Sequence, residues 1–177
     1  MTARPAASPL LDDPRRAAND DLNRWRGRCV HLFAQIEEAL GETINLLIAV
    51  GQDPAIKRQA LFGQRFDTVC AAFADGRPYA KAGKQVLTAL EHLAPQIDLR
   101  NIVVHATGNV LLDCRGNWTW HYRFVPSGKA AKVTEAYLPK DEAEQHEKAL
   151  AAGGRSLRDR LGNLRASIKD YGDSALN

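Results

Sequence analysis

Between residues 20 and 50, Leu22, Trp25, Cys29, Leu32, Ile36, Leu40, Ile44 and Leu47 recur at steps of three and four, the period that lines one face of an α-helix. The spacing predicts a long first helix, with Asn19 or Asp20 to cap its first amides and Gly51 to end it in a left-handed turn. Asp53-Pro54 pairs a capping side chain with proline at a first helical position, predicting a second helix from there through Leu61, Phe62, Phe66, Val69 and Phe73, with Gly63 as a point of interruption. Asp75-Gly76-Arg77-Pro78 is turn chemistry, and beyond it Val86, Leu87, Leu90 and Leu93 mark a third amphipathic helix over 79–93. Residues 96–106, with Ile97, Ile102, Val103 and Val104, read as a short fourth helix, although their β-branched run also suits a strand.

After residue 108 the period changes. Trp118, Trp120, Tyr122 and Phe124 alternate with Thr119, His121 and Arg123, as in a strand, and Pro126-Ser127-Gly128-Lys129 then turns the chain. Residues 132–138, with Val133, Ala136 and Tyr137, form the return strand. A lone hairpin needs a helical surface to bury its aromatic face, so this one is an insert in a bundle. The last helix begins near Pro139 or Asp141 and runs to about Tyr171 on the stripe Leu157, Leu161, Leu164 and Ile168, with a kink expected at Gly153-Gly154. The predicted fold is mainly α, an antiparallel helical bundle of about five helices with an inserted β-hairpin before the last helix. Residues 1–18 are expected to be a flexible arm, 19–174 one helical domain and 108–138 its hairpin insert.

Bulk composition narrows the function classes only a little. A chain of 177 residues, 45% hydrophobic, fits a single core. A net charge of +3 with a pI near 8.8 excludes a polycation but permits a local basic face. Three solitary cysteines, Cys29, Cys70 and Cys114, form no metal-binding pattern and read as reduced thiols in a cytoplasmic protein. The greasiest run, 44–50, is far short of the roughly 20 residues that cross a bilayer. No Gly-rich nucleotide fingerprint and no Ser/His/Asp set is present, so neither cofactor nor metal is expected.

The chemistry concentrates at Arg100-Asn101-Ile102-Val103-Val104-His105, an Arg and a His separated by four residues, with a polar residue after the Arg. The same spacing occurs at Arg26 and His31, and wider ones at Arg24 to His31 and Arg115 to His121. Arg24, Arg26 and His31 lie in the first long helix, and Arg115 and His121 straddle the Gly116-Asn117 turn. Only Arg100 to His105 has three helices before it, a proline-marked break, small residues Ala106, Thr107 and Gly108 after it, and then a hairpin and closing helix. In that setting the chain resembles the HEPN superfamily, whose ribonucleases carry Arg, four to six residues, then His on a late helix of a small bundle.

That resemblance implies a metal-independent endoribonuclease with Arg100, Asn101 and His105 as catalytic residues, acting as a toxin or phage-defence effector and held in check by an antitoxin or regulatory protein. Imidazole can take the proton of an RNA 2′-hydroxyl, and guanidinium can bind the charged phosphate in a two-pronged geometry. Asn101 and His105 lie roughly 40° apart on a helix and Arg100 roughly 140° from His105, so a shared point calls for a second subunit. Family members pair so that two motifs line one cleft, which implies a homodimer. Tyr two residues after the His, the site of inactivating modification in some relatives, is replaced by Thr107.

Arg155, Arg158, Arg160, Arg165 and Lys169, with Arg24, Arg26 and Arg28, are candidate contacts to the RNA backbone, or else a solvated face paired with Asp159 and Asp170. Trp118, Trp120 and Tyr122 either stack bases or are buried against helices. His31 reads as a hydrogen-bonded structural histidine. The competing reading of the motif has Arg100 paired with Asp98 and His105 capping a helix end, in a non-catalytic module that binds nucleotide or a partner protein.

Overall fold

The computed structural model describes residues 13–51, 53–126 and 132–174, with side chains described through residue 168. The element order is α1 (Pro14–Val50), α2 (Phe62–Ala72), α3 (Ala80–Leu93), a 3-10 turn (Ala94–Gln96), α4 (Ile97–His105), β1 (Thr107–Leu112), β2 (Trp118–Phe124), β3 (Thr134–Pro139) and α5 (Lys140–Ser174). This is a mainly α bundle with a small antiparallel sheet before the last helix, as the patterning predicts.

Two Asp-Pro pairs set the first boundaries, with opposite outcomes. Asp13 Oδ1 accepts the Arg15 amide at 3.0 Å with Pro14 at the first helical position, so α1 begins there and not at Asn19 or Asp20. Residues 14–18, expected in the arm, are therefore helical, and Ala18 is buried; residues 1–12 lie outside the described residues. Asp53 accepts the Ala55 amide at the same 3.0 Å, yet no helix follows. Its carboxylate is buried and faces the Arg77 guanidinium at 3.4 Å, and the chain beyond runs on so that Ile56 enters the core. The second helix consequently starts at Phe62, eight residues later than the proline suggests, and Gly63 lies within its first turn. At the far end of α1, Gly51 takes the expected left-handed conformation, φ 71°, and its amide donates to Leu47 O.

The core lies where α1 and α5 pack together. Trp25 Nε1 donates to Ala143 O at 2.8 Å, Arg28 grips Glu147 with two bonds of 2.7 and 2.9 Å, and Arg165 meets Glu42 at 3.0 Å. The numbers rise together, so these two helices run parallel. The antiparallel packing expected of the bundle holds for α3 against α5, where Gln85 O accepts from Arg160 Nη1 at 3.0 Å and Gln96, in the turn that follows α3, meets His146. α5 runs as one helix through Gly153 and Gly154. A Cβ on Gly154 would lie 3.0 Å from Ile36 Cδ1, and one on Gly153 3.3 Å from Leu93 Cδ1, so the pair lets α5 settle close to both neighbours.

The sheet is a three-stranded meander, β1-β2-β3. The expected hairpin is β2 with β3, and the turn at Ser127-Gly128-Lys129 lies outside the described residues. β1 is an additional strand. Its inner residues Val110 and Leu112 pack on the core, and a Cβ on Gly108 would collide with the His121 carbonyl. Trp118, Trp120 and Leu138 share that inner face and are buried, with both indoles against Trp25 at 6.2 and 6.3 Å. Among the described residues no helix is long and apolar enough to cross a membrane.

Candidate functional site

The Arg100–His105 segment is helical over its whole length, so the β-branched run loses its strand alternative to tertiary contacts. Pro95 sits in the 3-10 turn that leads in, and Asp98 lies in the first turn, where a carboxylate suits the amino-terminal dipole. Leu99 and Val103, one turn apart, are buried and hold α4 to the bundle, with Ile102 half-buried beside them. The remaining residues set the chemistry. Arg100 and Asn101 are half-buried, and Val104 and His105 are exposed.

The Arg100 guanidinium lies 5.7 Å from the centre of the Phe62 ring on α2, and its Nη1 donates to Asn101 Oδ1 at 3.5 Å, the long end of a hydrogen bond. Among the described residues Arg100 makes no ion pair, with Asp98 or any other carboxylate, and His105 makes no hydrogen bond. The single chain thus joins Arg100 to Asn101 and leaves His105 open to solvent one turn beyond Asn101, without direct contact between Arg100 and His105.

A residue 77 positions away fixes the end of this helix. Arg26 Nε donates to Val103 O at 2.9 Å and its Nη2 to Ala106 O at 3.3 Å, satisfying carbonyls that the end of α4 leaves free. The same guanidinium stacks over Trp120 at 4.9 Å, and burial lowers its pKa from the usual arginine value. Arg26 is therefore a structural clamp on the end of α4. Ala106 turns extended, φ −72° and ψ 142°, and delivers the chain into β1 directly after His105.

The other expected backbone contacts are also largely occupied. Arg28 is held by Glu147, which raises its pKa through their hydrogen bond. Arg165 reaches Glu42, Ala39 O and Thr43 Oγ1, and Arg158 and Arg160 reach the carbonyls of Gly154 and Gln85. These partners replace Asp159; the side chains of Lys169 and Asp170 lie outside the described residues. Arg24 and Arg155 remain exposed. His31 bonds to Gln35 at 2.9 Å on the exposed side of α1. Trp118 and Trp120 are buried and Tyr122 is half-buried on the same face, so the aromatic positions of β2 serve the core.

The opposite face of the sheet carries residues that alternation alone leaves unpartnered. Asn109, His121 and Tyr137 stand in register across it, as do Thr107, Arg123 and Glu135. His121 stacks on Tyr137 with centroids 4.6 Å apart and planes 15° apart, and its Nε2 meets Glu135 Oε1 at 2.8 Å. The period of two marks His121 and Arg123 as outward-facing, but their meeting with Tyr137 depends on a register that no local signal carries.

Two surface clefts, of about 560 and 440 Å³, are lined by Glu38, Asn45, Arg58 and Arg65 and by Asp113, Trp118, Lys140 and Glu144 among others; none of the motif residues lines either. Among the described residues no three His, Cys, Asp or Glu side chains are grouped to hold a metal ion. Compared with protein-family models, with curated proteins and with solved structures, the chain matches none.

Proposed function

We propose that the protein is a metal-independent endoribonuclease of HEPN type, a cytoplasmic toxin or defence effector that works as a homodimer. The observation that carries this reading is the state of the motif on α4. Asn101 steadies the Arg100 guanidinium, His105 stands exposed one turn away, and among the described residues no carboxylate claims either side chain. In the reaction, His105 accepts the proton of the RNA 2′-hydroxyl as O2′ attacks phosphorus, the P–O5′ bond breaks, and a proton returns to O5′. Arg100 binds the phosphate oxygens as negative charge builds on them. A second subunit brings a second motif to the same phosphate and supplies the reach that one helix lacks. An antitoxin or other regulatory protein is the expected restraint on such an activity.

The test is cleavage of RNA by the purified protein in EDTA. Arg100→Ala and His105→Ala should each abolish cutting while leaving the melting temperature within a few degrees. A pure wild-type protein that cuts no RNA, or a His105→Ala variant as active as wild type, overturns the proposal.

One observation favours a second reading. The packing of Arg100 over Phe62 is a structural use of the guanidinium. In a non-catalytic module that binds nucleotide or a partner protein, Arg100→Ala lowers stability and abolishes no turnover, because there is none.

A further inference from the structure

We propose that the outer face of the β-sheet is a docking track for single-stranded RNA, with Tyr137 as the base-stacking residue and Arg123 as the phosphate contact nearest His105. The inference rests on the ribonuclease reading of the motif and adds the surface that would hold the substrate.

The first argument is shape. Tyr137 is 61% exposed, and His121 stacks on it. His121 is itself held by Glu135 at 2.8 Å, so the phenol ring is braced in a fixed plane before any ligand arrives. A braced ring with an open face suits a nucleobase, because every base has a π-surface and stacking needs no particular sequence. Asn109, exposed on β1 in the same row beyond His121, offers an amide to a base edge further along the track.

The second argument is continuity. β1 begins at Thr107, two residues after His105, and Thr107 lies opposite Arg123. The row of Thr107, Arg123 and Glu135 is therefore next to the motif, and the row of Asn109, His121 and Tyr137 is the next one out along the same face.

The third argument is charge. At the end of the sheet near His105, Arg123 is exposed and, among the described residues, has no ion-pair partner; Lys132, two residues before β3, is exposed at the same end. Glu135 is engaged by His121. The opposite end carries Asp113, Asp141 and Glu144 around the second cleft, with Lys140, which pairs with Asp21, and the exposed Arg115. The unpaired cations thus favour a polyanion at the end that leads to the motif.

The experiment uses the full chain with His105→Ala, so that bound RNA is not consumed, and a fluorescein-labelled oligoadenylate of about 10 nucleotides followed by anisotropy. Adding Tyr137→Ala should weaken binding about tenfold, whereas Tyr137→Phe, which keeps the ring, should bind like the parent. Arg123→Ala should weaken binding and reduce the salt slope by about one. Equal affinity for the Tyr137→Ala and parent proteins overturns the track while leaving the motif's chemistry intact, which the EDTA cleavage assay reads separately. A Tyr137→Ala protein that sediments as a monomer where the parent is a dimer also overturns it, since the face would then be a subunit contact.

Discussion

Replacing Arg26 by Met removes both donors that close the end of α4 while keeping a long unbranched stem in the same slot. The 2.9 Å bond to Val103 O comes from a charged donor to a part-buried acceptor, a class worth ~1.5–3 kcal/mol. The 3.3 Å bond to Ala106 O is longer and adds less, and the contact with Trp120 at 4.9 Å adds ~0.5–1 kcal/mol. Against these stands the cost of holding a half-buried guanidinium, visible in its lowered pKa, and the access of water to the freed carbonyls. The net loss should be about 3 kcal/mol, or roughly 6–12 °C in melting temperature for a chain of this size. Arg26→Lys keeps the charge without the forked geometry and should fall about midway.

The assay is thermal unfolding by circular dichroism, together with RNA cleavage at 25 °C, where both variants remain folded. Arg26→Met should lose cleavage out of proportion to its unfolded fraction, because the turn that frays carries His105. If its melting temperature stays within about 1 °C of wild type, the carbonyls of α4 are satisfied in some other way and the clamp argument fails.

Other consequences follow from packing and titration. Iodoacetamide at pH 8 should modify Cys114 alone, since it is exposed, whereas burial pushes the Cys29 thiol up to about 12 and the Cys70 thiol up to about 11; rapid labelling of Cys29 in the native protein would contradict its packing. Gly83→Ala should destabilise despite a helix-propensity gain of ~1 kcal/mol, because its Cβ would collide with the Phe73 side chain, an overpacking cost of ~1–3 kcal/mol; a raised melting temperature refutes this. Hydrogen bonds from Lys140 and Trp118 hold Asp21 below its ordinary pKa of 3.8. A depressed carboxyl stabilises above the unfolded value and loses that contribution as pH falls through the folded one, so Asp21→Asn should melt lower than wild type at pH 7 and converge with it below about pH 3.8.

Long-period features were legible in the sequence and short-range dipeptides only partly so. The stripe of α1 from Leu22 to Leu47 is buried except at Leu32, which is half-buried beside the buried Phe33, because packing uses nearly the face that the period marks. Asp13-Pro14 and Asp53-Pro54 present the same dipeptide, and the second is set apart by Arg77, which meets the buried Asp53 carboxylate only in the folded chain, and by the burial of Ile56 in the core. β1 carries little strand signal in Thr107-Gly108-Asn109, and its strand character there comes from pairing with β2.

The motif itself illustrates the limit of spacing and a way past it. A helix of nine residues is too short to persist alone, so the placement of Arg100, Asn101 and His105 depends on what holds α4 at each end. Phe62 lies under Arg100 and Arg26 closes the carboxyl end. Arg26 is also the arginine of the rival pair with His31, identical in spacing to Arg100 and His105. In the fold the rival guanidinium directs two of its donors at the carbonyls of Val103 and Ala106. The arginine of one spacing match thus supports the helix that carries the other. Arg26→Lys should accordingly impair cleavage only as far as it loosens α4, whereas Arg100→Lys should abolish it even in a protein that melts like wild type.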